Sequence, residues 1–154
     1  MLDIQKGFPM LTVSKECRFD AAHVLTNHAG HCKNLHGHTY RLVVEVAESA
    51  AASDMVMDFK DLKQVLRDVI LARFDHAFLY DETSAVECDI AGTIARHDMR
   101  RVPLPFRTTA ENLARHFFRE LAPHVNVLAV HLYETPESCA TYRNCRERRA
   151  SALQ

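Results

Sequence analysis

The sequence is short of the features that mark most specialised classes of protein. No apolar run approaches the ~20 residues that a membrane helix needs. The amino terminus, MLDIQKGFPML, carries no basic segment followed by an apolar one, which argues against a secretory leader. An excess of one charge is missing too. Nineteen Lys and Arg stand against 20 Asp and Glu, for a formal net charge of −1. With an isoelectric point near 6.8, the general case for a nucleic-acid binder falls away. The five cysteines form no C-x-x-C and are odd in number, which suits reduced thiols in a cytoplasm. There is no G-x-G-x-x-G, and so no dinucleotide fingerprint. Internal repeats, low-complexity tracts and interdomain linkers are also absent.

What remains is a chain of 154 residues, 47% hydrophobic and 25% charged. That composition excludes a disordered polymer, a collagen-like repeat and a disulfide miniprotein. The length points to one domain over 1–154, burying roughly two-thirds of its surface on folding. Histidine is the outlier. Of ten, five (His23, His28, His31, His36 and His38) fall within sixteen residues.

Hydrophobic period gives the order of elements. From Leu11 to His23 the odd positions Leu11, Val13, Cys17, Phe19 and Ala21 alternate with polar ones, the mark of a half-buried strand. A second strand reads from His38 to Glu48, with Tyr40, Leu42, Val44 and Val46 on one face. The turn-rich stretch TNHAGHCKNLHG joins the two as a hairpin. A short apolar piece, Met55–Met57, reads as a continuation or edge of the second strand. The period then lengthens. Phe59, Leu62, Leu66 and Val69 predict a helix over 59–73, with Asp58 as N-cap. Another helix is expected over 109–122, opened by a Thr108-x-x-Glu111 capping box and followed by Pro123. NVLAVHLYE (126–134) reads as a buried strand and 140–144 as a weaker one. The order β-β-α-α-β-β predicts an α+β fold, an antiparallel sheet with two helices on one face. Within 80–107, AVECDIAGTIARHD suggests a helical turn or two and MRRVPLPF an extended piece, neither assigned a position. The basic tail RNCRERR reads as a solvated terminus.

His36 and His38, one residue apart at the entry to the second strand, point to the same face. His23 closes the first strand in phase with its apolar row, so pairing the strands brings three imidazoles to one end of one face. Three neutral nitrogens suit zinc and leave a fourth position open. Cys32 lies four residues before His36. Beside a dication or a cationic imidazole its thiol becomes a base or nucleophile; as a fourth ligand it would close a structural site instead. Asp75-His76 is either a proton-shuttling pair or an ordinary helix end. Glu134, at the end of an apolar strand, either clamps an amidine-like edge through paired hydrogen bonds or is simply exposed there.

The motifs F-D-A-A-H (19–23), C-K-N-L-H-G-H (32–38), F-D-H-A-F-L (74–79), T-A-E-N (109–112) and Y-E-T (133–135) occur in register. Together they resemble those of the 6-pyruvoyltetrahydropterin synthase family, with its 6-carboxytetrahydropterin synthase branch most similar. The resemblance implies the T-fold, whose subunits form a barrel as trimers, with two trimers stacking into a hexamer. It implies His23, His36 and His38 as ligands of Zn2+, and Cys32 as catalytic base. Asp75 and His76 would be the proton relay, Glu134 the pterin anchor and Thr109 a further pterin contact. Three residues separate Cys32 from H-G-H, the spacing of the carboxy-forming branch. The reaction implied converts 7,8-dihydroneopterin triphosphate to 6-carboxytetrahydropterin, acetaldehyde and triphosphate on the way to queuosine. The same substrate with a pyruvoyl product is one alternative, and a non-catalytic zinc module is another. The small-molecule substrate would be the partner, with neither nucleic acid nor membrane involved.

Overall fold

The computed structural model describes residues 11–48 and 54–144. Strands β1 (Thr12–His23) and β2 (His36–Ala47) form an antiparallel hairpin, whose register runs from Thr12 opposite Ala47 to His23 opposite His36. Helix α1 (Phe59–Leu66) follows, then a π-helical turn (Arg67–Leu71) and the short α2 (Ala72–Phe74). Next come β3 (Ala77–Asp81), α3 (Ala85–Arg96), β4 (Arg101–Leu104), α4 (Ala110–Leu121), β5 (Val127–Thr135) and β6 (Ser138–Arg143). One six-stranded sheet results, ordered β4-β3-β1-β2-β5-β6.

The alternation read in the sequence decides which face is buried. Phe19, Ala21, Tyr40, Leu42, Val44, Val130 and Leu132 point to one side of the sheet. There they pack against Leu62, Leu66 and Ile70, and against Leu113, Phe117 and Leu121 of α4. Helices α1 and α4 thus cover one face, as the apolar periods required. The other face carries Thr12, Ser14, Glu16, Arg18 and Asp20 outward and stays largely open. Asp58 caps α1 as expected, its carboxylate accepting from Lys60 N at 2.7 Å.

Several expectations need correcting. The segment 80–107 holds α3 and β4, and β3 precedes it. Both extra strands join in parallel, β3 to β1 and β4 to β3, so the sheet is mixed. Helix α3 is a third helix, packed on the opposite face, with Ala91 against Phe78 and Val24. A parallel return needs such a crossover. Met55–Met57 is no strand; it is a loop whose Val56 and Met57 lie against the core. The cap of α4 sits one residue later than expected. Thr109 is the N-cap, its hydroxyl accepting from Asn112 N at 3.3 Å, because Thr108 is buried against His23. Most of the tail RNCRERR lies outside the described residues.

Candidate active site

The hairpin register seats His23 opposite His36, and His38 follows two residues along β2 on the same face. Gly37 lets the strands close there, since a Cβ on it would meet the Ala21 carbonyl oxygen at 3.0 Å. One potential ligand atom from each ring lies within 4.8 Å of the other two. Backbone carbonyls hold two of the rings. His23 Nδ1 donates to Thr108 O at 2.9 Å, and His36 Nδ1 donates to Asn34 O at 2.7 Å. With those protons assigned to Nδ1 by their carbonyl partners, both Nε2 atoms present lone pairs, and they face each other at 3.1 Å.

A cation resolves that opposition. The nitrogen–nitrogen edge of a tetrahedral centre with bonds of ~2.0–2.1 Å is about 3.3 Å, so the donor set fits a metal. Burial holds His23 neutral, pushing its pKa down to about 4, with His36 and His38 adding to the effect against the Thr108 hydrogen bond. Burial, then His36, also lowers His38. Neutral rings are the ligand form. A backbone carbonyl on the far ring nitrogen is the partner that metal-ligating histidines commonly use.

Cys32 sits in a 3-10 turn (His31–Lys33) of the hairpin loop, half-buried. Its carbonyl accepts from Leu25 N at 2.9 Å, which pins the loop. Among the described residues the convergent set contains the three imidazoles and not the Cys32 sulfur. Cys17, in contrast, is a packing thiol whose pKa burial pushes up to about 12.

Glu134 ends the same face on β5, half-buried. Burial raises its pKa, and the Glu111 carboxylate raises it further. Thr109, Glu111, Arg107 and Glu134 line one pocket. Glu111, read from sequence as half of a capping box, therefore belongs to the pocket. A carboxylate in the first turn of α4, ahead of a strand ending in Glu, was the signal available. Arg107 steadies the pocket wall, donating from Nη2 to Thr26 O at 3.0 Å.

Asp75 and His76 lie elsewhere. Asp75 ends α2 in extended conformation, and His76 adopts a left-handed φ of 56°, uncommon for a residue with a side chain. Hydrogen bonds hold it there: His76 N donates to Asp20 O at 2.7 Å, and Asp20 N to Asp75 Oδ1 at 3.0 Å. Asp75 Oδ1 is also 3.0 Å from His76 Nδ1. The exposed His76 shares a cleft with Asp20, Ala22, Thr39 and Phe78, whose side chains alternate to the opposite face of the sheet, and with His38 of the imidazole set at its edge. The pair ends a helix beside the Asp20 carboxylate, whose position on β1 alternates away from the face of the three imidazoles.

Three convergent imidazoles, a thiol in the adjoining hairpin loop and a carboxylate pocket on an α+β sheet make up a candidate enzyme centre whose donor set fits a metal. Residues 12–145 match the model of the 6-pyruvoyl tetrahydropterin synthase family. A 6-carboxy-5,6,7,8-tetrahydropterin synthase of Haemophilus influenzae is 44% identical over 140 residues, covering 87% of this chain and 99% of that protein. Among solved structures, a Caenorhabditis elegans 6-pyruvoyl tetrahydropterin synthase superposes with a TM-score of 0.62 at 25% identity, over 88% of this chain and 96% of its own. A Wolinella succinogenes protein of uncharacterised function shares the fold, with a TM-score of 0.76 at 20% identity over 89% and 99%. The chain belongs to the 6-pyruvoyl tetrahydropterin synthase family; it is an enzyme with the T-fold. No helix among the described residues is long and apolar enough to cross a membrane.

Proposed function

We propose that the chain is a zinc-dependent 6-carboxytetrahydropterin synthase. It would take 7,8-dihydroneopterin triphosphate and one water to 6-carboxy-5,6,7,8-tetrahydropterin, acetaldehyde and triphosphate, an early step toward the 7-deazaguanine of queuosine. The observation that carries the reading is the convergence of His23, His36 and His38 on the sheet face that ends at Glu134. The high identity to the Haemophilus relative, over nearly all of that protein, supports the carboxy-forming branch.

The three imidazoles would hold zinc, whose Lewis acidity would act on the substrate's side-chain hydroxyls. Cys32, as thiolate, removes a carbon-bound side-chain proton. Glu134 and Glu111 accept hydrogen bonds from the ring's paired donors, with Thr109 beside them. Asp75, 3.0 Å from His76 Nδ1, would orient the ring and leave His76 Nε2 to carry a proton to or from the substrate. Because His76 occupies the opposite face, a complete site draws Cys32 and His76 from neighbouring chains of a trimer or stacked pair of trimers. The enzyme works in the cytoplasm, where its thiols stay reduced, with the pterin triphosphate as partner and no nucleic acid or membrane.

Incubation with 7,8-dihydroneopterin triphosphate and identification of products tests the reading. Acetaldehyde with 6-carboxytetrahydropterin is the expected result. A 6-pyruvoyl product without acetaldehyde assigns the chain to the pyruvoyl-forming activity. No turnover, with Cys32 protected from alkylation until metal is stripped, would make it a structural zinc module.

A further inference from the structure

Tyr40 heads the large side chains that are fully buried. Its ring stacks on Phe19, centroids 5.0 Å apart, and meets His38 edge-on at 5.3 Å and His23 at 6.2 Å. Yet its hydroxyl has no hydrogen-bond partner. A buried hydroxyl without a partner costs the folded protein free energy, and a phenylalanine ring would make the same stack without that cost. The free protein gains nothing from this oxygen.

Strand pairing shows what stands beside it. The antiparallel β2–β5 ladder ends with Arg41 opposite Tyr133; extending that register by one step sets Tyr40 against Glu134. Both side chains lie on the face of Leu42 and Leu132, and directly opposed residues on one face are contact neighbours. The phenol also feels the charge of the Glu134 carboxylate and, more weakly, of Cys32. On the acceptor side, no hydrogen bond to the Glu134 carboxylate is found among the described residues, and only burial and charge act on it. A buried donor without an acceptor thus shares a sheet face with a carboxylate that has no hydrogen-bond donor among the described residues.

We infer that Tyr40 is a positioning residue of the pocket: with a pterin bound, its hydroxyl donates to the Glu134 carboxylate and fixes the oxygens that receive the ring's donors. The inference rests on the pterin reading of that pocket. It assigns Tyr40 no part in proton transfer and no contact with the metal.

The test is calorimetric titration of the purified protein with neopterin, an oxidised pterin that is not turned over. The wild type is compared with Tyr40→Phe, Glu134→Gln and the double variant. Tyr40→Phe should melt at or above the wild-type temperature, because the lost oxygen had no partner. It should bind neopterin roughly three- to tenfold more weakly, the worth of one hydrogen bond. In the Glu134→Gln background the same change should add little, since the hydroxyl acts through that carboxylate. Equal affinity in Tyr40→Phe and wild type overturns the inference and leaves the pterin reading standing. So does an equal loss in both backgrounds, or a clear drop in melting temperature. Failure of the wild type to bind neopterin overturns the pterin reading and the inference together.

Discussion

The two faces of the sheet hold chemical groups in opposite ways. On the helix-covered face, His23 is 1% exposed, and His23 and His36 are each held by a backbone carbonyl. His23 is held there like a core residue, while His36 and His38 are partly exposed. On the open face, the His76 side chain is 72% exposed and is placed by its backbone, through the left-handed turn bonded to Asp20. Rigid burial suits groups that must bind a cation in one geometry. An exposed ring on a fixed backbone suits a group that completes its site against another surface. On the proposed reading these are two half-sites, and assembly with a second copy would bring them together.

The comparison breaks most visibly at the metal. His36→Ala should abolish zinc retention and reduce turnover to background while the fold persists, read by metal analysis and circular dichroism. Full zinc occupancy in the triple His→Ala protein would remove the centre from this face. Cys32→Ala should keep its zinc and lose turnover by about 10²–10⁴-fold, the usual worth of a general base. Loss of metal from that variant would make Cys32 a ligand instead.

Binding on the same face should yield less. Glu134→Gln should raise KM by roughly tenfold or more, the scale of a hydrogen bond to a charged group, with kcat changed far less; an unchanged KM excludes Glu134 as the anchor. The comparison between faces is sharpened by mixing. Cys32→Ala and His76→Ala chains, each inactive, should recover roughly a quarter of wild-type activity when refolded together as a closed ring. Mixed oligomers with no activity would return both groups to one chain.

The smallest effect is in pH. Burial and Glu111 raise the Glu134 pKa above its usual 4.5, so pterin binding should weaken on acidification before ordinary carboxylates titrate. The sign for stability is the reverse. A raised carboxyl pKa favours the folded state below 4.5, and that contribution is lost as pH rises through the folded value. Glu134→Gln should therefore melt slightly higher than wild type near pH 8. Calorimetric titrations and melts across pH 4–8 check both.

The parts of the molecule legible in sequence were those with strong local periods. Alternation in β1 and β2 places His23, His36 and His38 on one face before any coordinates, because a strand's period of two leaves no choice of side. The apolar stripes of α1 and α4 are as clear. The 80–107 segment was harder. Helix α3 contributes only Glu87 and Ala91 as buried residues, too thin a stripe for a period to show. Its Ser84-x-x-Glu87 spacing was a readable cap signal, and Ser84 does cap α3, accepting from Glu87 N at 3.3 Å. The Glu87 carboxylate turns inward instead, to Thr26 and to Asp81 N.

By itself, the sequence determined which residue types could hold a metal, a proton and a pterin edge, and which of them share a strand face. Those follow from side-chain chemistry and a two-residue repeat, both local. Tertiary structure alone decided that the Thr108 and Asn34 carbonyls orient the imidazoles, that Glu111 shares a pocket with Glu134, and that His76 stands on the other face. Backbone carbonyls are the same at every position, and the neighbours of a side chain across a sheet are set by strand order. Neither leaves a mark in the order of residues.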